Sequence, residues 1–136
     1  MCAVADDVTV AIDSDADIVV ARQRGRELAA TIGFKGSDLT MIATAISEVA
    51  RNIVVYAQRG EVRFSKGEKS GKGGIVVVAK DDGPGIADIG KAMTDGFSTG
   101  GSLGLGLPGA KRLMDELEID TAVGKGTTVV LKKWLR

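Results

Sequence analysis

Histidine is absent from the 136-residue sequence, and there is only one cysteine. Without histidine the chain cannot provide a Ser-His-Asp triad, a Cys-His nucleophile, a histidine-ligated zinc ion or a phosphohistidine. The single cysteine, Cys2, cannot form an internal disulfide, which fits a reducing, cytoplasmic setting. These absences exclude the common histidine-dependent mechanisms.

The sequence also lacks an excess of charge of either sign, because Lys+Arg and Asp+Glu both number 18. Binding of nucleic acid through bulk positive charge needs a basic excess, so we expect no nucleic acid partner. No apolar run is long enough to span a bilayer, and the N-terminus MCAVADDVTV has no basic region before an apolar core, so we expect neither a membrane span nor a signal peptide. The length and the 44% hydrophobic content predict one soluble globular domain, residues 1–136.

Glycine is concentrated in one stretch, residues 80–112, KDDGPGIADIGKAMTDGFSTGGSLGLGLPGAKR. It holds nine of the 19 glycines and both prolines. Such a stretch cannot be core, because glycine loses backbone entropy on folding and has no side chain to bury. We expect it to bring backbone amides close to something small and negatively charged.

Apolar periodicity and turn residues divide the chain into eight elements. The apolar periodicity of the predicted helices covers 17–32, 37–57 and about 104–117, and Asp13-Ser14-Asp15 is the start signal of the first helix. The predicted strands cover 8–12, 61–66, 74–80, 118–123 and 127–134. Gly60 is expected to end the second helix, and 67–73 and 124–126 to form hairpin turns. The order β-α-α-β-β-α-β-β predicts an α+β sandwich, with helices on one face of a mixed, mainly antiparallel sheet.

Three familiar motifs match only in their letters. Residues 100–104 fit G-x-S-x-G, but no histidine can serve as base and no strand leads into the serine. Residues 104–109 fit G-x-G-x-x-G, but a polar loop precedes them instead of a strand. Gly71-Lys72 lacks the Ser or Thr and the spacing of a P-loop. We reject all three on context.

Four other features remain, each with an ordinary structural explanation when taken alone. Glu48 and Asn52 are spaced i,i+4, which places both side chains on one helix face and is also typical of a solvated helix edge. The other three are glycine-containing segments that are common in turns. They are Asp81-x-Gly83-x-Gly85 at a strand end, Gly104-Leu105-Gly106-Leu107 opening a helix, and Gly126-Thr127 starting the last strand.

In this order and spacing the four features resemble the N box and the three glycine boxes of the GHKL ATPase superfamily, over nearly the whole chain. The resemblance implies an ATP site in which Asp81 accepts the adenine amino proton, with support from Thr127. Gly83 and Gly85 would let the backbone pass close to the base, and Ile86 belongs to the same binding set. Asp82 is the other carboxylate that could fill this role, but counting back from Gly85 favours Asp81.

The resemblance also implies how the phosphates and Mg²⁺ are held. Asn52 would offer a neutral oxygen to Mg²⁺, and Glu48 would orient the attacking hydroxyl or take its proton. Residues 90–103 would form a mobile lid. Backbone amides at a helix N-terminus would bind the phosphates, those of Gly104, Leu105, Gly106 and Leu107.

Within the superfamily the chain resembles the small serine/threonine kinases of the partner-switching type, including the switch kinases of the stressosome. The likeness rests on AISEVARNIVVYA, on the stretch from residue 80 to 116, on GKGTTV and on the terminal KWLR. It implies phosphorylation of STAS-domain scaffold and antagonist proteins, then binding and activation of a PP2C-type phosphatase. One alternative is an anti-sigma factor kinase that also holds a sigma factor. Another is a nucleotide-gated binding module without kinase activity, against which the presence of both Glu48 and Asn52 argues.

Two assignments are open, one for Arg51 and one for Trp134 with Leu135. Arg51 is either a contact for phosphate or substrate or an exposed helix residue. Trp134 with Leu135 either contacts a partner or packs the last strand, and we favour packing.

Overall fold

The computed structural model of the chain describes residues 7–83 and 106–136. Its elements follow the predicted order, β-α-α-β-β-α-β-β. The helices are α1 (Asp15–Ile32), α2 (Ser37–Asn52), which continues as a π-helical turn (Ile53–Ala57), and α3 (Gly106–Leu113). The strands are β1 (Val8–Ile12), β2 (Gly60–Lys69), β3 (Lys72–Asp81), β4 (Glu116–Thr121) and β5 (Thr127–Trp134).

The five strands form one sheet in the order β1-β2-β3-β5-β4, and all four pairs between the described strands are antiparallel. Side chains alternate between the two faces of each strand, so one face is apolar and buried, as Val62, Phe64, Ile75 and Val77 show. Helices α1 and α2 pack on each other and on this face, and α3 packs against α2. The predicted α+β sandwich is confirmed.

The contact between α1 and the rest of the core depends on a residue without a side chain. A Cβ at Gly25 would lie 2.9 Å from Phe64 Cε1 and would overlap Ile46 Cδ1. Real Cβ atoms do not approach that closely, so glycine lets α1 lie against α2 and β2 together. The core around it includes Ile12, Ile42 and Ile46, each fully buried.

Helix α1 begins at Asp15, within the polar group Asp13-Ser14-Asp15 that was predicted as its start signal. Ser14 is the N-cap, but its side chain makes no capping bond. Instead Asp17 Oδ2 accepts hydrogen bonds from the Asp13 amide at 2.9 Å and from Ser14 Oγ at 3.4 Å. The Asp13 hydrogen bonds hold the pKa of Asp17 below its ordinary value, so the first turn is stabilised by a carboxylate one turn inside the helix. At the other end Gly33 has φ +131° and donates to the Ala29 carbonyl, as expected for a glycine C-cap.

The end of the second helix differs from the prediction. The α-helix ends at Asn52, the following turn is π-helical, and Gln58 reverses the chain with φ +72°. Gly60 does not break the helix; it is the first residue of β2 and pairs with Asp81. A side chain there would overlap the Lys80 carbonyl oxygen, so the glycine serves strand pairing.

The β2–β3 turn is also much shorter than the predicted seven residues. Both strands continue to a two-residue turn, Ser70-Gly71, with φ +53° and +81°, the backbone sign that suits the twist of a tight hairpin. Gly67 and Gly74 lie within the strands, where a side chain would not fit: a Cβ at Gly67 would lie 2.9 Å from Val76 Cγ2, and one at Gly74 would overlap the Trp134 ring. The structure therefore supports the packing role favoured for Trp134.

The third helix is shorter than predicted. It ends at Leu113 instead of about Leu117, and Leu117 pairs with Leu131 in the sheet. Strand pairing overrides the helical spacing of the leucines, and the Asp115 amide donates to the Lys132 carbonyl at 2.9 Å as the chain turns. β4 consequently lies two residues earlier than predicted.

Among the described residues, one stretch has the length and composition to cross a membrane, Ser37–Ala57. It is α2 with its π-helical turn, and its apolar side is buried against the sheet, including Ile42, Ile46 and Val49. In this fold the stretch is the central core helix.

Candidate active site

Glu48 and Asn52 lie one turn apart near the C-terminal end of α2. Both are half-buried, with 18% of the Glu48 side chain exposed, while Val49 and Ala50 beside them point into the core. Helix α3, whose N-terminal segment is predicted to bind phosphate, packs against α2. Glu48 and Asn52 therefore lie on the helix that α3 contacts. The structure thus brings the predicted catalytic and Mg²⁺-binding residues together on one face.

Arg51 lies beside Glu48 in the structure. Its Nη1 atom is 3.5 Å from Glu48 Oε1, and half of the Arg51 side chain is exposed. An exposed i,i+3 pair contributes only about 0.3–0.5 kcal/mol, so the guanidinium can leave Glu48 at little cost.

Asp81 is the last residue of β3 and the cross-strand partner of Thr127 on β5. Asp81 Oδ1 accepts a hydrogen bond from the Gly83 amide at 2.9 Å, which fixes the orientation of the carboxylate. None of the hydrogen bonds between the described residues uses Asp81 Oδ2, so this oxygen can accept from another donor. Asp82 is exposed whereas Asp81 is half-buried, and this difference favours Asp81 as the adenine ligand.

The backbone around Asp81 is packed so tightly that two glycines are required. A Cβ at Gly83 would lie 2.5 Å from Ala57 Cβ, at the end of the π-helical turn. Gly126 has φ +86°, and a Cβ there would overlap the Asp81 carbonyl oxygen and lie 2.9 Å from Asp82 Cα. These contacts join the end of the second helix, the end of β3 and the start of β5 into one corner of the sandwich.

Thr127 is buried at this corner, and its hydroxyl is engaged by Thr121. The two Oγ1 atoms are 2.9 Å apart, and Thr121 Oγ1 also donates to the Gly126 carbonyl at 3.0 Å. A hydroxyl has one proton to donate, so Thr127 is the donor in the contact between the threonines. The lone pairs of its hydroxyl then remain as acceptors, which suits an amino group or a bridging water. Thr121 was not predicted, because its role depends on the β4–β5 register.

Helix α3 places two of the predicted phosphate-binding amides, those of Gly106 and Leu107, at its N-terminus. It begins at Gly106, and Pro108 occupies its first turn, where the missing N–H needs no intrahelical partner. The Leu107 side chain is buried in the core, so only its backbone amide is available to a ligand. Four predicted site residues, Gly85, Ile86, Gly104 and Leu105, and the predicted lid 90–103 lie outside the described residues.

A cavity of about 720 Å³ opens beside Asp81, at the end of the sheet. Its lining comes from the ends of β1, β2 and β3 and from the residues after the π-helical turn, and it includes Arg59, Lys80 and Asp82. Glu48, Asn52 and Thr127 are not part of the lining. Sequence reasoning did not predict this cavity, because it depends on which strand ends meet.

The residues present fit a nucleotide with its cation. At the predicted adenine end, Gly83 and Gly126 hold the half-buried Asp81 carboxylate in place by internal packing, and the α3 amides suit phosphate oxygens. In residues 7–83 and 106–136 no group of three or more acidic or cysteine side chains could hold a metal ion, so the predicted Mg²⁺ contact there rests on Asn52. A single side-chain oxygen from the protein is typical of a Mg²⁺ ion bound mainly through phosphates and water.

Residues 12–133 match the family model described as the histidine kinase-like ATPase domain. The chain belongs to this family, and the predicted GHKL membership is confirmed. It is 50% identical to the serine/threonine-protein kinase RsbT of Bacillus subtilis, over 96% of this chain and 98% of that protein. It is also 32% identical to an anti-sigma F factor of Thermoanaerobacter, over 72% of this chain and 71% of that one.

Solved structures share the fold. The RsbU and RsbW domains of a Mycobacterium tuberculosis protein match with a TM-score of 0.60 and 25% identity over 93% of this chain, which spans 31% of that one. The mycobacterial sensor histidine kinase MprB matches with a TM-score of 0.59 and 22% identity, over 93% of this chain and 97% of that one. Together with the family match, these structures confirm the predicted fold class.

Proposed function

We propose that this chain is a Mg²⁺-ATP-dependent protein serine/threonine kinase of the partner-switching type. Its substrates would be STAS-domain scaffold and antagonist proteins, and once released it would bind and activate a PP2C-type phosphatase. The observation that carries the proposal is the placement of Glu48 and Asn52 one turn apart on a half-buried face of α2, the helix against which α3 packs. The 50% identity to a named serine/threonine-protein kinase supports it.

The chain's own residues would do four things in this reaction. Asp81 Oδ2 would accept the adenine amino proton, because Oδ1 is already held by Gly83. The α3 N-terminus would bind the phosphates, and Asn52 would hold the cation that neutralises their charge. Glu48 would accept a hydrogen bond from the attacking hydroxyl and orient it in line with the transferred phosphoryl group.

A transfer experiment tests this proposal. The wild-type chain is incubated with γ-labelled ATP, Mg²⁺ and candidate STAS-domain proteins, and label on the partner is measured. Glu48→Gln is expected to lower the transfer rate by about 100-fold or more while leaving the Kd for ATP nearly unchanged, because it removes a proton acceptor and no phosphate contact. Glu27→Gln, an exposed glutamate on α1, is the matched control and should transfer at the wild-type rate.

Two results would contradict the proposal. One is a wild-type chain that binds ATP but transfers no label to any STAS-domain protein; the other is a Glu48→Gln variant as active as wild type. The similarity to an anti-sigma factor favours a second candidate, a kinase that also sequesters a sigma factor. Pull-downs with purified sigma factors and PP2C-type phosphatases distinguish the two, since stable capture of a sigma factor would support the second.

A further inference from the structure

Lys133 is a buried lysine on the helix-facing side of β5. Burial alternates along this strand, and Lys133 follows Thr127, Val129 and Leu131 on the inner face. Only 7% of Lys133 is exposed. Alternation would place an aliphatic side chain at this position, and burying an ammonium group without compensation is costly. The buried Lys133 ammonium group therefore needs a hydrogen-bond acceptor or an opposite charge.

The partner is the C-terminal end of α3. Lys133 Nζ donates to the Leu113 carbonyl oxygen at 3.0 Å, and Leu113 is the last residue of the helix. None of the ion pairs between the described residues involves Lys133. Among those residues, the Leu113 carbonyl is therefore the group that compensates for burial of the ammonium group. A cation at a helix C-terminus also interacts favourably with the helix dipole.

Neighbouring residues of β5 hold the same end of the helix. The Asp115 amide donates to the Lys132 carbonyl at 2.9 Å, and the Trp134 amide donates to Asp115 Oδ2 at 2.8 Å. Three consecutive residues of β5 thus fix the point where α3 ends. Lys133 is the one whose side chain reaches the helix itself.

The helix held in this way is short. It has eight residues, which corresponds to about 12 Å at 1.5 Å per residue. A displacement or rotation at Leu113 is therefore transmitted to Gly106 and Leu107 at the other end, whose amides are the predicted phosphate donors. A cation at one end and a phosphate at the other also stabilise the same dipole.

We propose that Lys133 is a positioning residue for the phosphate end of the nucleotide site, which it controls by anchoring the C-terminus of α3. The inference rests on the proposed function, since it assumes that the α3 amides bind the phosphates of ATP. It assigns Lys133 no contact with the nucleotide.

The test compares nucleotides that differ only in their phosphates. Affinities for ATP, ADP and adenosine with Mg²⁺ are measured by competition against a fluorescent ADP analogue, for wild type and Lys133→Met. We expect Kd for ATP and ADP to rise about five- to thirty-fold and Kd for adenosine to stay within about two-fold, because only the phosphate end is displaced. A purely structural role would lower the melting temperature without changing the preference for phosphorylated ligands.

Lys132→Met is the matched control. Lys132 is adjacent on β5, lies on the opposite face, is 30% exposed in its side chain and pairs with Glu118 at 3.7 Å. Its loss removes the same formal charge, so any long-range effect of charge on phosphate binding appears in both variants. If Lys133→Met does not fold, Lys133→Gln replaces it, since a glutamine amide can still donate to a carbonyl. This variant should show a smaller change in the same direction.

The outcomes separate the two proposals. A wild-type chain that binds neither ATP nor ADP contradicts the proposed function. A wild type that prefers ATP to adenosine, with Lys133→Met or Lys133→Gln keeping that preference unchanged, contradicts the positioning role alone. The positioning role would also be overturned if the Lys133 variants raised Kd for ATP and Kd for adenosine equally. The same holds if the Lys132 and Lys133 variants changed the preference for ATP over adenosine to the same extent.

Discussion

At the scale of single residues, the corner around Asp81 is packed so closely that two of its positions have no room for a side chain. A Cβ at Gly83 would overlap Ala57, and one at Gly126 would overlap the backbone of Asp81 and Asp82, so neither position has room for a methyl group. The two glycines act differently, because Gly126 also needs a positive φ whereas Gly83 is limited by space. Gly83 is therefore the cleaner position at which to test packing.

Gly83→Ala should destabilise the fold and weaken nucleotide binding. The new Cβ would lie 2.5 Å from Ala57 Cβ and 3.2 Å from Asp81 Oδ1, so the turn that orients the Asp81 carboxylate must move. We expect a loss of about 1–3 kcal/mol in the free energy of unfolding, measured by urea denaturation, and a rise in Kd for ATP. Gly73→Ala is the control, because its Cβ would meet only Leu135 at 3.8 Å and should change the unfolding free energy by about 0.5 kcal/mol or less. Equal effects of the two substitutions would show that space at Gly83 is not limiting.

At the scale of elements, the ends of β2, β4 and β5 are joined by Glu116. Its Oε2 atom accepts hydrogen bonds from Lys69 Nζ at 2.8 Å and from Trp134 Nε1 at 2.7 Å. These two hydrogen bonds, with that from Lys69 the larger, hold the pKa of Glu116 below its ordinary value of 4.5. The Glu116 carboxylate thereby links the edge strand β4 to the β2–β3 hairpin.

Stability should depend on pH through this carboxylate. Because the pKa of Glu116 is lower in the folded chain than in the unfolded chain, its stabilising contribution is complete above the unfolded value and is lost as the pH falls through the folded value. Glu116→Gln should therefore be less stable than wild type at pH 7, with the difference shrinking below about pH 4.5. Urea unfolding at several pH values measures this. Glu118→Gln, whose side chain is 64% exposed, should track wild type throughout, and a Glu116→Gln difference independent of pH would refute the assignment.

The elements also show what local sequence could predict and what it could not. Both β1 and β5 begin and end where predicted, since their apolar runs are bounded by Asp and Gly. The hairpin turn was predicted too long because Gly67 and Gly73 read as turn residues, whereas both lie within the strands, where Gly67 pairs with Gly74 and Gly73 pairs with Glu68. Helix α3 was predicted too long because Leu117 keeps a helical spacing that strand pairing overrides. The errors arise where tertiary contacts compete with a local signal.

The same limit applies to the candidate site. The resemblance predicted Glu48, Asn52, Asp81 and Thr127 from ordered motifs, and the structure places them on α2 and at the corner joined to it. Thr121 and Lys133 have no motif of their own, because their roles come from the register of β5 with β4 and from its contact with α3. Only the assembled sheet could reveal them.

At the scale of the whole molecule, β5 connects the two ends of the proposed nucleotide site. Its first residue, Thr127, pairs with Asp81 at the adenine end, and Lys133 near its last residue anchors the helix at the phosphate end. A nucleotide that contacts both ends stabilises the folded state as a unit. At a concentration of 100 times Kd, this linkage is worth about 2.7 kcal/mol.

Nucleotide-dependent stabilisation therefore reports which carboxylate selects adenine. With Mg²⁺ present, ATP should raise the melting temperature of wild type and GTP should raise it much less, because guanine presents a carbonyl oxygen where adenine presents an amino group. Asp81→Asn keeps an oxygen for the Gly83 amide but can turn a donor toward the base, so it should lose most of the ATP shift and narrow the gap to GTP. Asp82→Asn removes an exposed charge next to it and should keep the wild-type preference. A preference lost in Asp82→Asn and retained in Asp81→Asn would move the adenine contact to the neighbouring carboxylate, while the stabilisation by ATP in both variants would still identify the chain as a nucleotide-binding protein.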